Sequence, residues 1–383
     1  MTTVWSFPTR ILYGAGAVSE AGAEAKRLGS KTALIVTDPG VADAGIAADV
    51  SRALEKGGIV SETFTAVSTN PTEAEVHAAA EAYREAKADL VIGVGGGAPL
   101  DVAKLVRVAT THSLPLAEYD DAIGGDAKIT QPMPPMIAVP TTAGTGSEVG
   151  RSGVVTIAET NRKTVIFSPR LMPDVAILDP QLTLSLPTRL TAATGFDALT
   201  HNVEAYCAKG DHPMADAIAL EGIELIAKYL PIAVEDGANL EARGAMLKAS
   251  MMGAVAFQKG LGACHALAHP LGAETGMHHG LANALCLPAV LDCIRTAATM
   301  RIARIARILG VKGKDIETLA FECSGKVRAL RNQLGLPSGL GEAGISEEQL
   351  PHLAGLAIQD ATKEGNPRAC TKDDMLSLYR ASM

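Results

Sequence analysis

The chain of 383 residues has few aromatic residues and no excess of basic charge. Aromatic residues make up 3% of it, with a single Trp, whereas Ala and Gly are abundant, and this composition favours closely packed helices over disorder. The formal net charge is −8, and no run of Lys or Arg is present. Nucleic acid and acidic membrane surfaces are therefore not expected as partners.

Long apolar runs and paired cysteine motifs are also absent. No stretch reaches the roughly 18 apolar residues of a membrane span, and the first residues lack the charged and apolar regions of a signal peptide. The six cysteines form no CxxC motif and no regular framework, which is typical of a reduced protein. We therefore expect a cytoplasmic protein of about two domains.

The first half of the chain alternates strand-like and helix-like segments. Strand-like runs near 32–38 and 59–66, and again at DLVIGVGGG and MIAVP, are separated by amphipathic stretches, one of them near 41–57. This alternation predicts a parallel sheet with helices on both faces. From about residue 187 the segments are Ala- and Leu-rich with helical period. We predict an α/β nucleotide-binding domain over 1–185 and an all-helical domain over 186–383.

Glycine-rich loops follow two of the strand-like runs. In GVGGGAPLD (93–101), the glycines would allow a phosphate to approach the backbone at a helix N-terminus, although a tight strand–helix turn would use the same residues. In PTTAGTGSEV (140–149), Thr141 and Thr142 offer hydroxyls beside glycines. Asp38 ends an earlier strand, where it would favour NAD over NADP or would cap a helix. Together the loops suggest one ligand crevice.

Histidines cluster in the second half of the chain. Six of the nine fall between His201 and His279. Asp197 and His201 are four residues apart, as are His265 and His269, so each pair would lie on one helix face. Such a set is typical of a divalent metal site, although single histidines in apolar helices are usually core or surface residues. Cys264, beside His265, is either a further ligand or a packed thiol.

Five motifs carry a resemblance that spans essentially the whole chain. GGGAPLDVAK, PTTAGTGSEV, GFDALTH, CHALAHPLG and HHGLANA, in this order, resemble the iron-containing, or group III, alcohol dehydrogenases. The resemblance implies an N-terminal nucleotide-binding domain and a C-terminal helical domain, an architecture similar to dehydroquinate synthase. It also implies an active site in the cleft between the domains.

The resemblance assigns roles residue by residue. His279, directly before the glycine of HHG, is implied as a ligand in preference to His278. His269 would lie beside the metal without being a ligand. Because it is one turn from His265, we expect it to relay a proton or, alternatively, to orient a ligand. The implied metal ligands are Asp197, His201, His265 and His279. The implied cofactor contacts are Asp38, Asn70, Gly95, Gly96, Gly97, Asp101, Thr141, Thr142 and Lys163.

The implied activity is the interconversion of a primary alcohol and its aldehyde with NAD(H). The metal would act as a Lewis acid on the alcohol oxygen. The resemblance implies Fe²⁺, while one carboxylate with three imidazoles would also accept Zn²⁺ or another divalent metal. We expect a small-molecule substrate and a homo-oligomer, a dimer or larger.

The segment AFQKGLGACH departs from the family pattern near the expected substrate pocket. Phe257 is expected to line that pocket, and Lys259 and Arg151 would add positive charge to it. These cations suggest an anionic ω-hydroxy acid such as 4-hydroxybutyrate, unless they pair with nearby acids such as Glu148 or point into solvent. Three further alternatives are a zinc polyol dehydrogenase of the glycerol type, a lyase related to dehydroquinate synthase, and a structural metal protein that merely holds NAD.

Overall fold

The computed structural model describes Phe7 and residues 9–160 and 162–383. Their contacts divide them into two compact units. The first, which we name the sheet unit, comprises the described residues of 7–142 with 146–186. The second, the helical unit, comprises 143–145 with 187–383. All strands of the described residues belong to the sheet unit.

A parallel sheet forms the centre of the sheet unit. Its strands are β1 (Arg10–Tyr13), β2 (Thr32–Val36), β3 (Val60–Phe64), β4 (Leu90–Gly95), β5 (Met136–Pro140) and β8 (Val175–Leu178). Among the described residues these six strands lie in the order β1-β8-β5-β4-β2-β3, and all neighbours are parallel. Two further strands, β6 (Ser152–Ile157) and β7 (Arg162–Phe167), form a separate antiparallel ribbon.

Helices cover both faces of this sheet. They are α1 (Ala21–Arg27), α2 (Pro39–Asp43), α3 (Ile46–Lys56), α4 (Glu73–Glu85) and α5 (Gly97–Thr111). Successive side chains of a strand point to opposite faces, and β2 shows the consequence. Ala33 and Ile35 pack in one core with α1 and α3, whereas Leu34 and Val36 pack in the other with α4 and α5. A strand buried on both faces reads as a continuous apolar run, which is why the sequence revealed it.

Two local features differ from the sequence prediction. The amphipathic stretch near 41–57 is divided into α2 and α3, because the chain turns at Gly45, whose φ is 79°. The β6–β7 ribbon was not predicted. Its strands alternate buried and partly exposed residues on a ribbon with a single partner strand, so they lack the continuous apolar run of β4 or β5.

The long segment of the helical unit begins at Pro187, the N-cap of its first helix. Its helices are α6 (Thr188–Cys207), α7 (Pro213–Glu235), α8 (Leu240–Ala256), α9 (Ala263–Thr275), α10 (His279–Ile294), α11 (Thr299–Ile308), α12 (Ile316–Gln333), α13 (Leu350–Ala357) and α14 (Lys372–Ala381). Helices α6 and α10 are buried over most of their length, and α6 packs against α7, α8 and α10. No helix in the described part of the chain has the length and apolarity to cross a membrane. The predicted fold class, a parallel-sheet α/β unit followed by a helical one, is confirmed.

Candidate functional site

The helical unit brings four of the sequence-predicted residues together. Asp197, His201, His265 and His279 each offer one ligand atom, and these atoms lie within 4.8 Å of one another. Asp197 and His201 lie one turn apart on α6, His265 lies in the first turn of α9, and His279 begins α10. The first three are buried, while 33% of the His279 side chain is exposed. We name this group the Asp-His cluster.

A glycine allows α10 to approach α6 closely enough to form the cluster. Gly280 directly follows His279, and a Cβ at this position would lie 2.2 Å from the carbonyl oxygen of Ala193 on α6. Any side chain there would push the two helices apart. His279 Nε2 would then move away from Asp197 Oδ1, which lies 3.4 Å from it.

The protonation states of Asp197, His265 and His279 are those that metal binding requires. Burial lowers the pKa of His265 and His279 well below the usual range, so both imidazoles are neutral at neutral pH. Burial alone would raise the pKa of Asp197, but the surrounding imidazoles and the Asn283 amide lower it to about 2. A metal ion binds ionised carboxylates and neutral imidazoles, so these three residues need to release few protons when a metal binds.

Asn283, which sequence reasoning missed, lies at the centre of the cluster. Its Nδ2 donates to Asp197 Oδ1 at 2.8 Å and lies 3.3 Å from His265 Nε2 and 3.2 Å from His279 Nε2. An amide nitrogen has only two hydrogens, so it cannot satisfy all three acceptors at once. These acceptors converge on one point, as ligand atoms do. The i,i+4 spacing from His279 on α10 was the signal that could have found Asn283.

Glu204, also missed from the sequence, fixes the orientation of His265. Its Oε2 lies 2.6 Å from His265 Nδ1, and its Oε1 accepts a hydrogen bond from the Cys264 backbone N–H at 2.7 Å. This contact leaves His265 Nε2 facing the cluster. Burial raises the pKa of Glu204 to about 7, although backbone N–H groups of the α9 N-terminus act in the opposite direction. Glu204 follows Asp197 and His201 on the same face of α6, at i+7 and i+3, and this periodicity was a usable signal.

Cys264 is a packed thiol in the structure. It is fully buried, and its Sγ lies 3.5 Å from the backbone oxygen of Asn283. Burial raises its pKa well above the usual range, so the thiol keeps its proton. A metal ligand would have to be a thiolate. Of the two interpretations of Cys264 from the sequence, the packed thiol is the one that this geometry supports.

His269 lies beside the cluster and makes its own contact with an acid. Its Nδ1 lies 2.7 Å from Asp360 Oδ2, and its ring stacks on the ring of His279 with centroids 5.4 Å apart. Burial alone would raise the pKa of Asp360, but its contact with His269 and its hydrogen bonds with Thr362 lower it. His269 is not among the four residues whose ligand atoms converge. His278, which directly precedes His279, is exposed and is the N-cap residue of α10.

In the sheet unit, the predicted cofactor residues lie at the carboxyl ends of adjacent strands. The chain leaves β2 towards one edge of the sheet and β4 towards the other, so their shared end is a topological switch point, the usual ligand crevice of such sheets. Gly95 ends β4 with φ of +146°, and a Cβ there would lie 2.7 Å from Pro99 Cγ and 3.2 Å from Asp38 Oδ2. Thr141, after β5, donates its backbone N–H to Gly95 O at 2.9 Å.

The other predicted cofactor residues have identifiable contacts within the same unit. Gly96 and Gly97 begin α5, and Gly96 lies beside the Thr142 side chain. Asp38 caps α2, because its Oδ1 accepts from the Val41 N–H at 2.9 Å; its second oxygen takes no part in this cap. The helix-cap alternative for Asp38 is therefore present in the structure, and its role towards NAD stays a prediction.

Asp101 connects α5 with β6 and the loop before it, and Asn70 connects the loop between β3 and α4 with β7. Asp101 accepts hydrogen bonds from Ser147 Oγ at 2.6 Å and from the Val154 N–H at 3.1 Å. Lys163 on β7 donates to Asn70 Oδ1 at 2.9 Å. Burial lowers the pKa of Lys163. The structure thus brings two separately predicted cofactor residues, Asn70 and Lys163, into direct contact.

The three residues expected in the substrate pocket have different surroundings. Lys259 is fully buried as a side chain, forms an ion pair with Asp216 and donates to Tyr206 O at 2.9 Å. It therefore follows the alternative interpretation, pairing with an acid, and offers no charge to a substrate. Phe257 packs against a member of the Asp-His cluster, with its ring centroid 5.1 Å from that of His201.

Arg151, unlike Lys259, has no acidic partner within the described residues. Its guanidinium lies over the ring of Phe167, 5.4 Å from the centroid. Partial burial lowers its pKa, but an arginine stays charged at neutral pH. Glu148, the acid expected to neutralise it, is itself buried, and burial raises its pKa to about 7. Arg151 is therefore a half-buried charge without a counter-ion.

Comparisons with known protein families identify both halves of the chain. Residues 8–180 match the family model described as iron-containing alcohol dehydrogenase. Residues 191–383 match the model described as Fe-containing alcohol dehydrogenase family, C-terminal. Similar curated proteins include a 4-hydroxybutyrate dehydrogenase of Cupriavidus necator, 41% identical with 98% of each chain covered. A 1,3-propanediol dehydrogenase of Citrobacter freundii is 39% identical with 97% of each chain covered.

Solved structures show the same fold. A 1,3-propanediol oxidoreductase superposes with a TM-score of 0.97 at 37% identity, covering 100% of both chains. A sulfoacetaldehyde reductase from Bifidobacterium kashiwanohense, solved in complex with NAD⁺, superposes with a TM-score of 0.88 at 33% identity, covering 100% of this chain and 98% of that one. The likeness extends over the whole chain rather than over one domain.

Proposed function

The chain belongs to the iron-containing alcohol dehydrogenase family, and on this basis we propose that it interconverts a primary alcohol and its aldehyde with NAD(H) and a bound divalent metal. The Asp-His cluster is the main support for this function, because a carboxylate and three imidazoles have converging ligand atoms there. Family membership makes the protein an oxidoreductase, while the cofactor, the metal and the substrate are what we propose.

The donor set fits a divalent transition metal. Besides the converging atoms, His201 Nδ1 is buried and makes no hydrogen bond within the described residues. A buried ring nitrogen without a partner is costly, so the described protein groups alone do not satisfy the His201 ring. Asp197, His201, His265 and His279 are the proposed ligands. Oxygen and imidazole nitrogen donors accept Fe²⁺, which the family name favours, and also Zn²⁺.

NAD is proposed to bind at the switch point of the sheet unit. Gly95, Gly96 and Gly97 leave room for a pyrophosphate at the N-terminus of α5, where backbone N–H groups and the helix dipole favour an anion. Asp38 stands where it would accept bonds from a ribose and repel the 2′-phosphate of NADP. The remaining proposed contacts are Asp101, Thr141, Thr142, Asn70 and Lys163.

The chain's own residues would orient the substrate and move its proton. When bound, the metal supplies Lewis acidity that lowers the pKa of the alcohol, and NAD accepts the hydride. The contact between Glu204 and His265 fixes the ring so that Nε2 faces the cluster. Phe257, against the His201 ring, would give the substrate an apolar contact that excludes water.

His269 is the proposed proton relay. Asp360 is ionised and can only accept, so it assigns the proton of the His269 ring to Nδ1. The Nε2 lone pair is then available to take a proton from water or from a hydroxyl of the cofactor ribose. The alternative role, orienting a metal ligand by ring stacking on His279, would leave proton transfer unaffected.

The test is a panel of alcohols and aldehydes assayed with NAD(H) on protein reconstituted anaerobically with Fe²⁺ or Zn²⁺. Metal-dependent NADH formation from a primary alcohol is the expected result. A lyase related to dehydroquinate synthase regenerates its cofactor and would form no net NADH. If the protein binds metal and NAD(H) absorbance stays unchanged with every alcohol and aldehyde in the panel, the metal site is structural instead. A preference for glycerol with Zn²⁺ would support the polyol alternative.

A second candidate substrate class is an anionic ω-hydroxy acid. Arg151 favours it, because this half-buried guanidinium has no acidic partner among the described residues and could bind a carboxylate through two parallel hydrogen bonds. The relative from Cupriavidus necator bears the name 4-hydroxybutyrate dehydrogenase. Comparing kcat/KM for 4-hydroxybutyrate and 1-butanol in wild type, Arg151→Lys and Arg151→Gln tests the idea. Equal losses for both substrates would end it.

We further propose that the protein is a cytoplasmic homo-oligomer, a dimer or larger, whose sheet unit binds NAD and whose helical unit binds the metal. The cysteine usage and the Ala-rich helices support this proposal. Light scattering after size exclusion would measure the oligomeric state. A monomeric mass at working concentration would contradict it.

A further inference from the structure

Two cysteines of the helical unit contact each other away from the Asp-His cluster. Cys293 lies in the last turn of α10, and Cys370 directly precedes Thr371, the N-cap of α14. Both thiols contact Arg368, since Cys293 Sγ accepts from its Nη1 at 2.8 Å and Cys370 Sγ donates to its backbone oxygen at 3.5 Å, and each thiol has the largest influence on the pKa of the other. Both are partly exposed, whereas the other four cysteines are buried. The pair is therefore accessible to solutes that cannot reach the remaining thiols.

Arg368 gives this pair an asymmetric electrostatic environment. Its Nη1 lies 2.8 Å from Cys293 Sγ, and its Nη2 donates to Asp374 at 2.8 Å. The neighbouring Cys370 thiol lowers the pKa of Cys293 to about 6; partial burial and Asp374 oppose this shift, and Arg368 adds to it. The last turn of a helix disfavours an anion, so the Cys293 thiolate depends on these two partners.

We propose that Cys293 and Cys370 are an oxidisable pair that hydrogen peroxide converts reversibly into a disulfide. The Cys293 thiolate attacks the peroxide, so that an S–O bond forms, the O–O bond breaks and hydroxide leaves. Cys370 then attacks the sulfenic sulfur, an S–S bond forms, and the hydroxyl leaves as water with the Cys370 proton. Two thiols and one peroxide give one disulfide and two waters.

The segment that carries Cys370 also holds the start of α9. Asn366 is buried; its Nδ2 donates to Arg368 O at 2.6 Å and to Cys370 Sγ at 3.5 Å. Its Oδ1 accepts from the N–H of Ala263 at 3.2 Å, two residues before His265. Closing the disulfide draws Cys370 towards α10 and removes the thiolate partner of Arg368. The oxidised protein should therefore hold its metal less firmly, an effect that rests on the proposed metal site.

The oxidation itself is tested on the whole protein loaded with Zn²⁺, which has no redox chemistry of its own. Peroxide treatment, thiol trapping and peptide mass spectrometry should give a Cys293–Cys370 disulfide that a reducing thiol reverses. In Cys370→Ser, Cys293 should stop at the sulfenic acid. Absence of this disulfide, or linkage of other cysteines instead, would overturn the proposal.

Arg368→Gln provides a second, milder variant. Alkylation of Cys293 by iodoacetamide at neutral pH should slow about tenfold, because a smaller fraction of the thiol is ionised. Arg328→Gln, which removes an arginine paired with Asp292 instead, should leave the rate unchanged. Equal rates in wild type and Arg368→Gln would show that the arginine does not activate the thiol, and would refute this part.

Release of Zn²⁺ to a chelator measures the effect on the cluster. Oxidised wild type should lose zinc several-fold faster than reduced protein, whereas Cys293→Ser should not respond to peroxide. A disulfide without faster release would refute the link through Asn366. If no form of the protein binds zinc, the proposed metal site fails, while the disulfide measurement still decides whether the pair is oxidisable.

Discussion

Replacing Glu204 with Gln would remove the contact that orients His265. The two carboxylate oxygens have distinct partners, since Oε2 lies 2.6 Å from His265 Nδ1 and Oε1 accepts from the Cys264 N–H at 2.7 Å. A glutamine has one oxygen and one NH₂ group. If the oxygen faces the backbone, the NH₂ group meets Nδ1 and moves the ring proton to the cluster side. If the oxygen faces Nδ1, the NH₂ group faces the Cys264 N–H, and two donors cannot form a hydrogen bond with each other.

Either orientation loses one hydrogen bond in a buried place, so the substitution cannot be neutral if the contact matters. Loss of a group that orients a metal-bound histidine costs about 10–100-fold in metal affinity. This corresponds to about 1.4–2.7 kcal/mol. Titration of metal-free protein with Zn²⁺ against a chromophoric chelator would measure it. The matched control is Glu221→Gln, which makes the same change at an exposed position of α7.

The expected outcome is weaker zinc binding in Glu204→Gln with the control unchanged. Wild-type zinc affinity in Glu204→Gln would mean that His265 keeps its orientation without the carboxylate, contrary to this prediction. Equal weakening in both variants would point to net charge rather than to the contact.

The other predictions concern the cofactor, the proton and pH. Asp38→Asn keeps a helix-capping oxygen but removes the charge, so kcat/KM with NADP should rise about tenfold or more; unchanged selectivity would contradict the role of Asp38. Asp360→Asn should shift the pH–rate profile like His269→Ala while bound metal, measured by elemental analysis, stays constant, and an unshifted profile would exclude His269 as the relay. Burial depresses the pKa of His265 and His279, so these two imidazoles bind more protons in the unfolded chain; in urea unfolding of metal-free protein, stability should fall more steeply below about pH 6.5 in wild type than in His279→Gln, whose side chain does not titrate. The same pH dependence in both proteins would contradict this assignment.

The fold was predictable where burial produces a recognisable pattern of apolar residues. Strands such as β4 are apolar throughout because helices cover both faces, and the helices after residue 187 repeat apolar residues at helical spacing. The division of 41–57 depended on the backbone conformation of Gly45, which periodicity does not report. The β6–β7 ribbon carries the weaker alternating pattern of a strand pair with partly exposed faces.

In the candidate site, the sequence indicated partners within one helix better than partners between helices. Asp197 and His201 could be paired by spacing alone, since both lie on α6. That Asn283 would face both His265 and Asp197 depends on how α10 crosses α6, and no local pattern encodes that crossing. Lys259 illustrates the same limit, because its partner Asp216 is 43 residues earlier in the chain.

Metal binding by Asp197, His201, His265 and His279 underlies the proposed alcohol oxidation, and anomalous diffraction from crystals of protein reconstituted with Fe²⁺ or Zn²⁺ would locate the metal. We expect one strong peak within coordination distance of all four side chains, lost in His279→Ala together with NADH formation. A peak elsewhere, or full alcohol oxidation by crystals and solutions without metal at this cluster, would contradict this expectation.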